Sequence, residues 1–175
     1  IYLEQITREI DSDYYDMIGI VNQMSPNGLI GSVTERYLSA EDNYDRYFEQ
    51  KSLREELIKL GYVNTKLLGI AYYDPKEQKE LIGNFNVRVL DPSYQTISKV
   101  VVGADNIIQV MHASYLGIKE TPVVSVMRRV SFGNKQMLDI YAEIEPDMSV
   151  SDRLNKEKWP YTYMELDENG IVQYS

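Results

Sequence analysis

The sequence has no cysteine and only one histidine, His112, in 175 residues. The missing cysteines exclude disulfide stapling, thiolate catalysis and the Cys-based zinc and iron–sulfur sites. His112 stands alone, and an isolated histidine reads as a surface or partly buried polar residue rather than a metal ligand or general base. No His-x-x-His pair, calcium-type Asp-x-Asp-x-Asp-Gly run or glycine-rich phosphate loop occurs, so neither metal nor cofactor is expected. The DENG stretch at 167–170 lacks the remaining ligands of a calcium loop.

Basic residues are scarce too: 18 Lys and Arg stand against 27 Asp and Glu, a net charge of −9. A nucleic-acid backbone needs a stripe of cations to neutralise its phosphates, so nucleic acid is excluded as a partner. No apolar run approaches the ~18 residues needed to span a bilayer. Nothing among the many carboxylates picks out a pair for glycoside hydrolysis, and the chain reads as non-catalytic.

What is present suits a folded domain. The 43 % hydrophobic content supplies a core, and the length fits one domain, or one domain with a piece of a second. The charge is uneven: residues 61–135 carry more bases than acids inside an otherwise acidic chain. Fifteen tyrosines against 3 Phe and 1 Trp fit a surface that faces a small molecule or carbohydrate, and also ordinary packing.

The first 24 residues form the longest periodic stretch. Leu3, Ile6, Ile10, Tyr14, Met17, Val21 and Met24 recur at spacings of three and four, which predicts one helix with a single apolar stripe close to a heptad. No capping residue precedes it, so it reads either as the end of a longer helix or as an ordinary core helix. Pro26 and Gly28 end it. A short helix over 29–38 follows. Ser39 with Asp42 is a capping-box pattern opening a third helix over 40–60, with Tyr44, Tyr47, Phe48, Leu57 and Leu60 inward and Gly61 as its stop.

The period then changes from 3.6 to 2. Strands are expected at 65–73, 81–89, 97–102, 122–132 and 136–145, with a short helix over 103–114 carrying His112. After a helical link at 149–156 comes a last hairpin around DENG. Helices followed by strands make an α+β pattern with an antiparallel five-stranded sheet.

Three stretches carry a family resemblance: the helix of residues 1–24, the run VVSVMRRVSFGNKQMLDIYAEIE from Val123 to Glu145, and YTYMELDENGIVQYS from Tyr161 to Ser175. In this order they resemble the extracytoplasmic Cache sensor domains, PAS-like in fold, and most of all the double-Cache domains of Gram-positive sensor histidine kinases. The resemblance implies a membrane-distal module over 1–157 with the long helix packed on one face of its sheet. It also implies the first hairpin of a truncated second module over 158–175. It further implies a membrane-anchored parent on the extracytoplasmic side of the cell membrane, either a two-component histidine kinase or a chemoreceptor, and a small-molecule ligand held by the sheet. Amino-acid-binding members carry an Arg-x-Trp-Tyr signature before the last two strands. Residues 97–121 contain neither Arg nor Trp, so that recognition does not carry over. Glu143 stands where those members place a late acidic residue.

The hairpin supplies the candidate site. A two- or four-residue turn at Gly133-Asn134 pairs residues whose numbers sum to 267, which sets Arg128 opposite Asp139, Val126 opposite Tyr141 and Val124 opposite Glu143. Val123, Met127, Leu138, Ile140, Ala142 and Ile144 would then face the long helix. Arg128, Asp139, Tyr141 and Glu143 would share the other face, with Arg88 and Tyr115 as further pocket lining. Arg128 beside acids suggests a ligand bearing a carboxylate, an amino acid among them. Tyr72 and Tyr73 must point to opposite faces. The rival reading is a ligand-free structural module that forms a homodimer through its N-terminal helix.

Overall fold

The computed structural model describes residues 2–83, 106–116, 123–133, 135–145, 165–166 and 172–174. Three helices come first: α1 (Tyr2–Met24), α2 (Leu29–Ser39) and α3 (Asn43–Val63). Five strands make one antiparallel sheet: β1 (Leu67–Asp74), β2 (Lys79–Gly83), β3 (Ile107–His112), β4 (Val123–Ser131) and β5 (Met137–Ile144), in the order β2-β1-β5-β4-β3. The fold is α+β, and the long N-terminal helix packs on one face of the sheet, as the sequence pattern implied. Strands β6 (Glu165–Leu166) and β7 (Val172–Tyr174) pair in a separate two-stranded sheet.

α1 runs unbroken to Met24, and its stripe is buried at Met17, Val21 and Met24, with Ile20 beside them and Tyr14 half-buried against the core. Leu3, Ile6 and Ile10 lie outside the described side chains. Ser25 turns the chain by bonding back to the Val21 carbonyl through both its N–H and its hydroxyl. α2 then crosses so close that a Cβ at Gly31 would sit 1.8 Å from the Ser25 carbonyl oxygen, so no larger residue fits there.

α3 departs from expectation at both ends. Its cap is Asp42, whose carboxylate accepts from the N–H of Tyr44 and Asp45 at 2.8 Å, because Ser39 is already committed to α2. The helix runs through Gly61 to Val63. It stops at Asn64, whose backbone and side-chain amides both donate to the Leu60 carbonyl. Its core side is Leu53, Leu57 and Leu60, whereas Tyr44, Tyr47 and Phe48 are exposed.

Two more expectations are corrected. Residues 107–112 form strand β3 rather than part of a helix; Ile107 and Ile108 are β-branched and pair with Met127 and Val126 of β4. The strand expected at 97–102 and residues 84–89 of the one expected at 81–89 lie outside the described residues.

The β4–β5 hairpin is present with a different register. Phe132 N–H donates to the Gln136 carbonyl, and Lys135, at φ 62°, donates to the Phe132 carbonyl. The loop therefore holds three residues, 133–135, rather than two or four. The odd count moves every partner by one: Arg129 faces Asp139, Met127 faces Tyr141 and Ser125 faces Glu143. The helix side of the sheet is consequently Val124, Val126 and Val130 of β4 against Leu138, Ile140, Ala142 and Ile144 of β5. Val123 and Met127 turn away from the helices. Tyr72 joins the helix-side core and Tyr73 the opposite face, as the strand period requires.

Candidate functional site

On β5, Asp139, Tyr141 and Glu143 alternate with the core residues and so point away from the helices. Asp139 and Glu143 are both fully buried, and a buried carboxylate is costly unless hydrogen-bonded or paired. Each is provided for differently.

Glu143 is met by the chain leaving β3. Its Oε1 accepts from the Tyr115 N–H at 2.7 Å, the Leu116 N–H at 3.2 Å and the Tyr141 hydroxyl at 2.7 Å. Its Oε2 accepts from the Ser114 hydroxyl at 2.6 Å. Gly69 of β1 is its neighbour on one side and Ser125 of β4 on the other, and neither fills the space with an apolar group. Asp139 is gripped by Arg129 in a fork, Nε to Oδ1 at 2.6 Å and Nη2 to Oδ2 at 3.0 Å, with Tyr73 directly across on β1. Burial, and then the charges of Asp139 and Asp74, push the Tyr73 phenol up.

His112 closes the end of the cluster. Its ring stacks on Tyr115 with centroids 4.4 Å apart, and Tyr115 in turn leans on Tyr141 at 6.1 Å. Nδ1 lies 2.7 Å from the Ala113 carbonyl and Nε2 lies 2.6 Å from the Ser125 hydroxyl. A carbonyl can only accept, so Nδ1 carries the proton and Nε2 accepts from Ser125 in the neutral ring. Burial holds the His112 pKa below its ordinary value, although the bond to Ala113 and the Glu143 charge pull the other way.

That depression has a sign. The unfolded histidine takes up its proton near pH ~6.5 and the folded one only at lower pH, so the unfolded state binds more protons in between. The contribution to stability is complete above the unfolded value and is lost as pH falls toward the folded one. The melting temperature is expected to drop between about pH 7 and pH 5, with a shallower drop in His112→Gln. Equal slopes in the two proteins would show that His112 does not titrate differently on folding.

Of the residues expected at the site, the structure brings Asp139, Tyr141, Glu143 and Tyr115 together. Arg128 is not with them. The shift of one residue puts it on the helix side, where its Nε donates to Asn106 Oδ1 at 2.8 Å and its Nη1 donates to Asn22 Oδ1 at 2.8 Å and to Ser25 Oγ at 3.2 Å. Burial lowers its pKa there. Arg88 lies outside the described residues. Arg129, Ser114, Ser125 and His112 are members that sequence reasoning missed. An odd-length turn at 133–135 is the signal that could have found Arg129 and Ser125, since it moves them to Asp139 and Glu143; no sequence signal points to Ser114 or His112.

Arg128 and Tyr72 give the other face its importance. Arg128 joins β4 to the last turn of α1 and to Ser25, and the Tyr72 hydroxyl donates to the Met24 carbonyl. The two strands carrying these residues thus grip the same end of the same helix. A cleft of about 310 Å³ elsewhere, between α1 and the α3–β1 turn, is lined by Asp13, Asp16, Ile20 and Lys66 among others, and by none of the expected site residues. The Lys66–Asp13 ion pair, at 2.6 Å, lies on its wall.

The fold and the cluster define an α+β protein whose antiparallel sheet carries helices on one face and a buried polar and aromatic cluster on the other. The chain matches no protein-family model and no curated protein. Among the described residues no helix is long and apolar enough to cross a membrane, and no group of three or more His, Asp or Glu could hold a metal ion.

Proposed function

We propose that this chain is the small-molecule-sensing domain of a membrane-bound signalling protein, of the extracytoplasmic Cache, PAS-like kind. Its parent is a two-component histidine kinase or a chemoreceptor, and residues 158–175 open a second module. The observation that supports this reading is the two-sided sheet. One face gathers Asp139, Tyr141, Glu143, Tyr115 and Arg129, a few convergent polar groups among aromatic rings, which suits a small ligand. The other face is tied by Arg128 and Tyr72 to the end of α1. A ligand that prefers one arrangement of the sheet then biases the position of that helix. Arg129 takes the place expected of Arg128 beside Asp139, and its two-armed bond to that acid fixes the guanidinium on the face proposed for the ligand.

The test is a thermal-shift screen of amino acids, organic acids, sugars and peptides. One class should raise the melting temperature by roughly 5–10 °C at a hundredfold excess over its Kd. Arg128→Ala should bind that ligand as tightly as the parent, because it lies on the other face, whereas Arg129→Lys should bind it more weakly through loss of the fork. A ligand whose affinity depends on Arg128 and not on Arg129 would overturn this placement.

A second reading has its own observation. Glu143 and Asp139 are already matched by donors of the chain itself, as they would be in a ligand-free structural module that dimerises through α1. A screen without any shift, with self-association abolished by charges placed on α1, would favour that reading.

A further inference from the structure

α3 is apolar on two sides, and among the described residues only one of them is buried. Leu53, Leu57 and Leu60 enter the core. At 3.6 residues per turn, Tyr44, Phe48, Lys51, Glu55, Ile58 and Tyr62 fall along the opposite side, spaced four and three alternately. All six are exposed, Tyr44 at 71 %, Phe48 at 48 %, Ile58 at 37 % and Tyr62 at 82 %. Alternating four and three is the spacing of a coiled-coil seam, and this one extends about 27 Å along the helix. Phe48 is packed by its own neighbours, with Tyr44 at 4.6 Å and Tyr47 at 5.7 Å between ring centroids, so the aromatic end is already assembled.

The seam is self-complementary when inverted. An antiparallel copy sets Tyr44 against the partner's Tyr62 and Phe48 against the partner's Ile58. Lys51 then meets the partner's Glu55, and by symmetry Glu55 meets the partner's Lys51. The charge of the helix is graded to match. Residues 41–50 hold four acids and one base, while residues 51–62 hold three bases and two acids. A parallel copy would set Lys51 on the partner's Lys51 and acid on acid. We propose that this outer face of α3 is a homodimer interface, an antiparallel two-helix seam related by a twofold axis that passes between Lys51 and Glu55. It is separate from the ligand face of the sheet and from α1.

Sedimentation equilibrium of the whole chain tests it. The parent should show a concentration-dependent mass between one and two times 20.3 kDa. Phe48→Glu, an exposed position whose replacement leaves the core intact, should raise the dimer Kd by at least tenfold, about 1.4 kcal/mol. Lys51→Glu alone should weaken the dimer by setting glutamates on glutamates, Glu55→Lys alone should do the same with lysines, and Lys51→Glu/Glu55→Lys should restore it. That rescue belongs to the antiparallel register and would not occur in a parallel one. Because the chain has no cysteine, an equal mixture of Tyr44→Cys and Tyr62→Cys proteins should cross-link as mixed pairs and not as like pairs. A parent that stays at one chain mass up to ~1 mM overturns the proposal. So does a dimer indifferent to Phe48→Glu, or one in which like cysteines cross-link. An amphipathic peptide that binds the seam of a strictly monomeric parent would show that the face serves another partner.

Discussion

Glu143→Ala is expected to cost about 3–5 kcal/mol of folding free energy. The carboxylate is fully buried and receives four hydrogen bonds, so its removal leaves the Tyr115 and Leu116 N–H groups and the Ser114 and Tyr141 hydroxyls without their acceptor at one stroke. An orphaned buried donor costs its own desolvation, about 1–3 kcal/mol each when nothing relaxes. For a chain of this length the melting temperature should fall by roughly 10 °C. Glu143→Gln keeps an oxygen for the three donors on Oε1 and presents an NH₂ to Ser114, whose hydroxyl can accept instead. Its loss should be smaller, about 1–2 kcal/mol. Urea denaturation measures both; a loss below ~1 kcal/mol for the alanine variant would mean that the four donors find water or one another.

The second large effect concerns Asp139. Arg129→Met should destabilise by about 3–5 kcal/mol, because the carboxylate it leaves behind is fully buried and loses both arms of the fork. The pair itself need not stabilise the fold to that extent. Removing both charges in Arg129→Met/Asp139→Leu should recover most of the loss, since the desolvation cost of the two ions goes with them. Additive losses in this double-mutant cycle would contradict an ion pair as the reason for the single-mutant effect. Arg129→Lys keeps the charge that steadies Asp139 but loses one arm of the fork, so its cost should be smaller than that of Arg129→Met.

These two positions also show how far the sequence reaches. That 123–131 and 137–144 are strands of one hairpin is legible from alternation and from Gly133 between them. Which residue of β4 meets Asp139 is not, because it depends on whether the loop holds an even or odd number of residues. Lys135 decides this by adopting a positive φ, a choice that carries no strong residue signature at a lysine. One residue of slip exchanged Arg128 for Arg129 and moved the expected ligand contact to the helix side. Tyr115 and Glu143 were both singled out, but their bond runs from a backbone N–H in the turn after β3 to a side chain on β5, and no spacing rule links positions so far apart in sequence.

The same division holds for the helices. Periodicity and capping signals placed helices over 1–24 and 40–60, and the structure has them at 2–24 and 43–63, because 3.6-residue spacing of apolar side chains is a local property of the chain. Periodicity also determined an α+β fold with an antiparallel sheet, since runs of period two follow runs of period 3.6. It could not say which side of α3 is the inner one, because Leu53, Leu57 and Leu60 and the line from Tyr44 to Tyr62 are both helical stripes. Only the docking of α2 and the sheet buried the first and left the second in water. Tertiary structure likewise decided the strand at 107–112, whose residues 107–109 and 112 pair with β4. Local pattern fixes what each segment can become. Which face is covered, and in what register, is set by contacts between segments whose energies the local pattern does not contain.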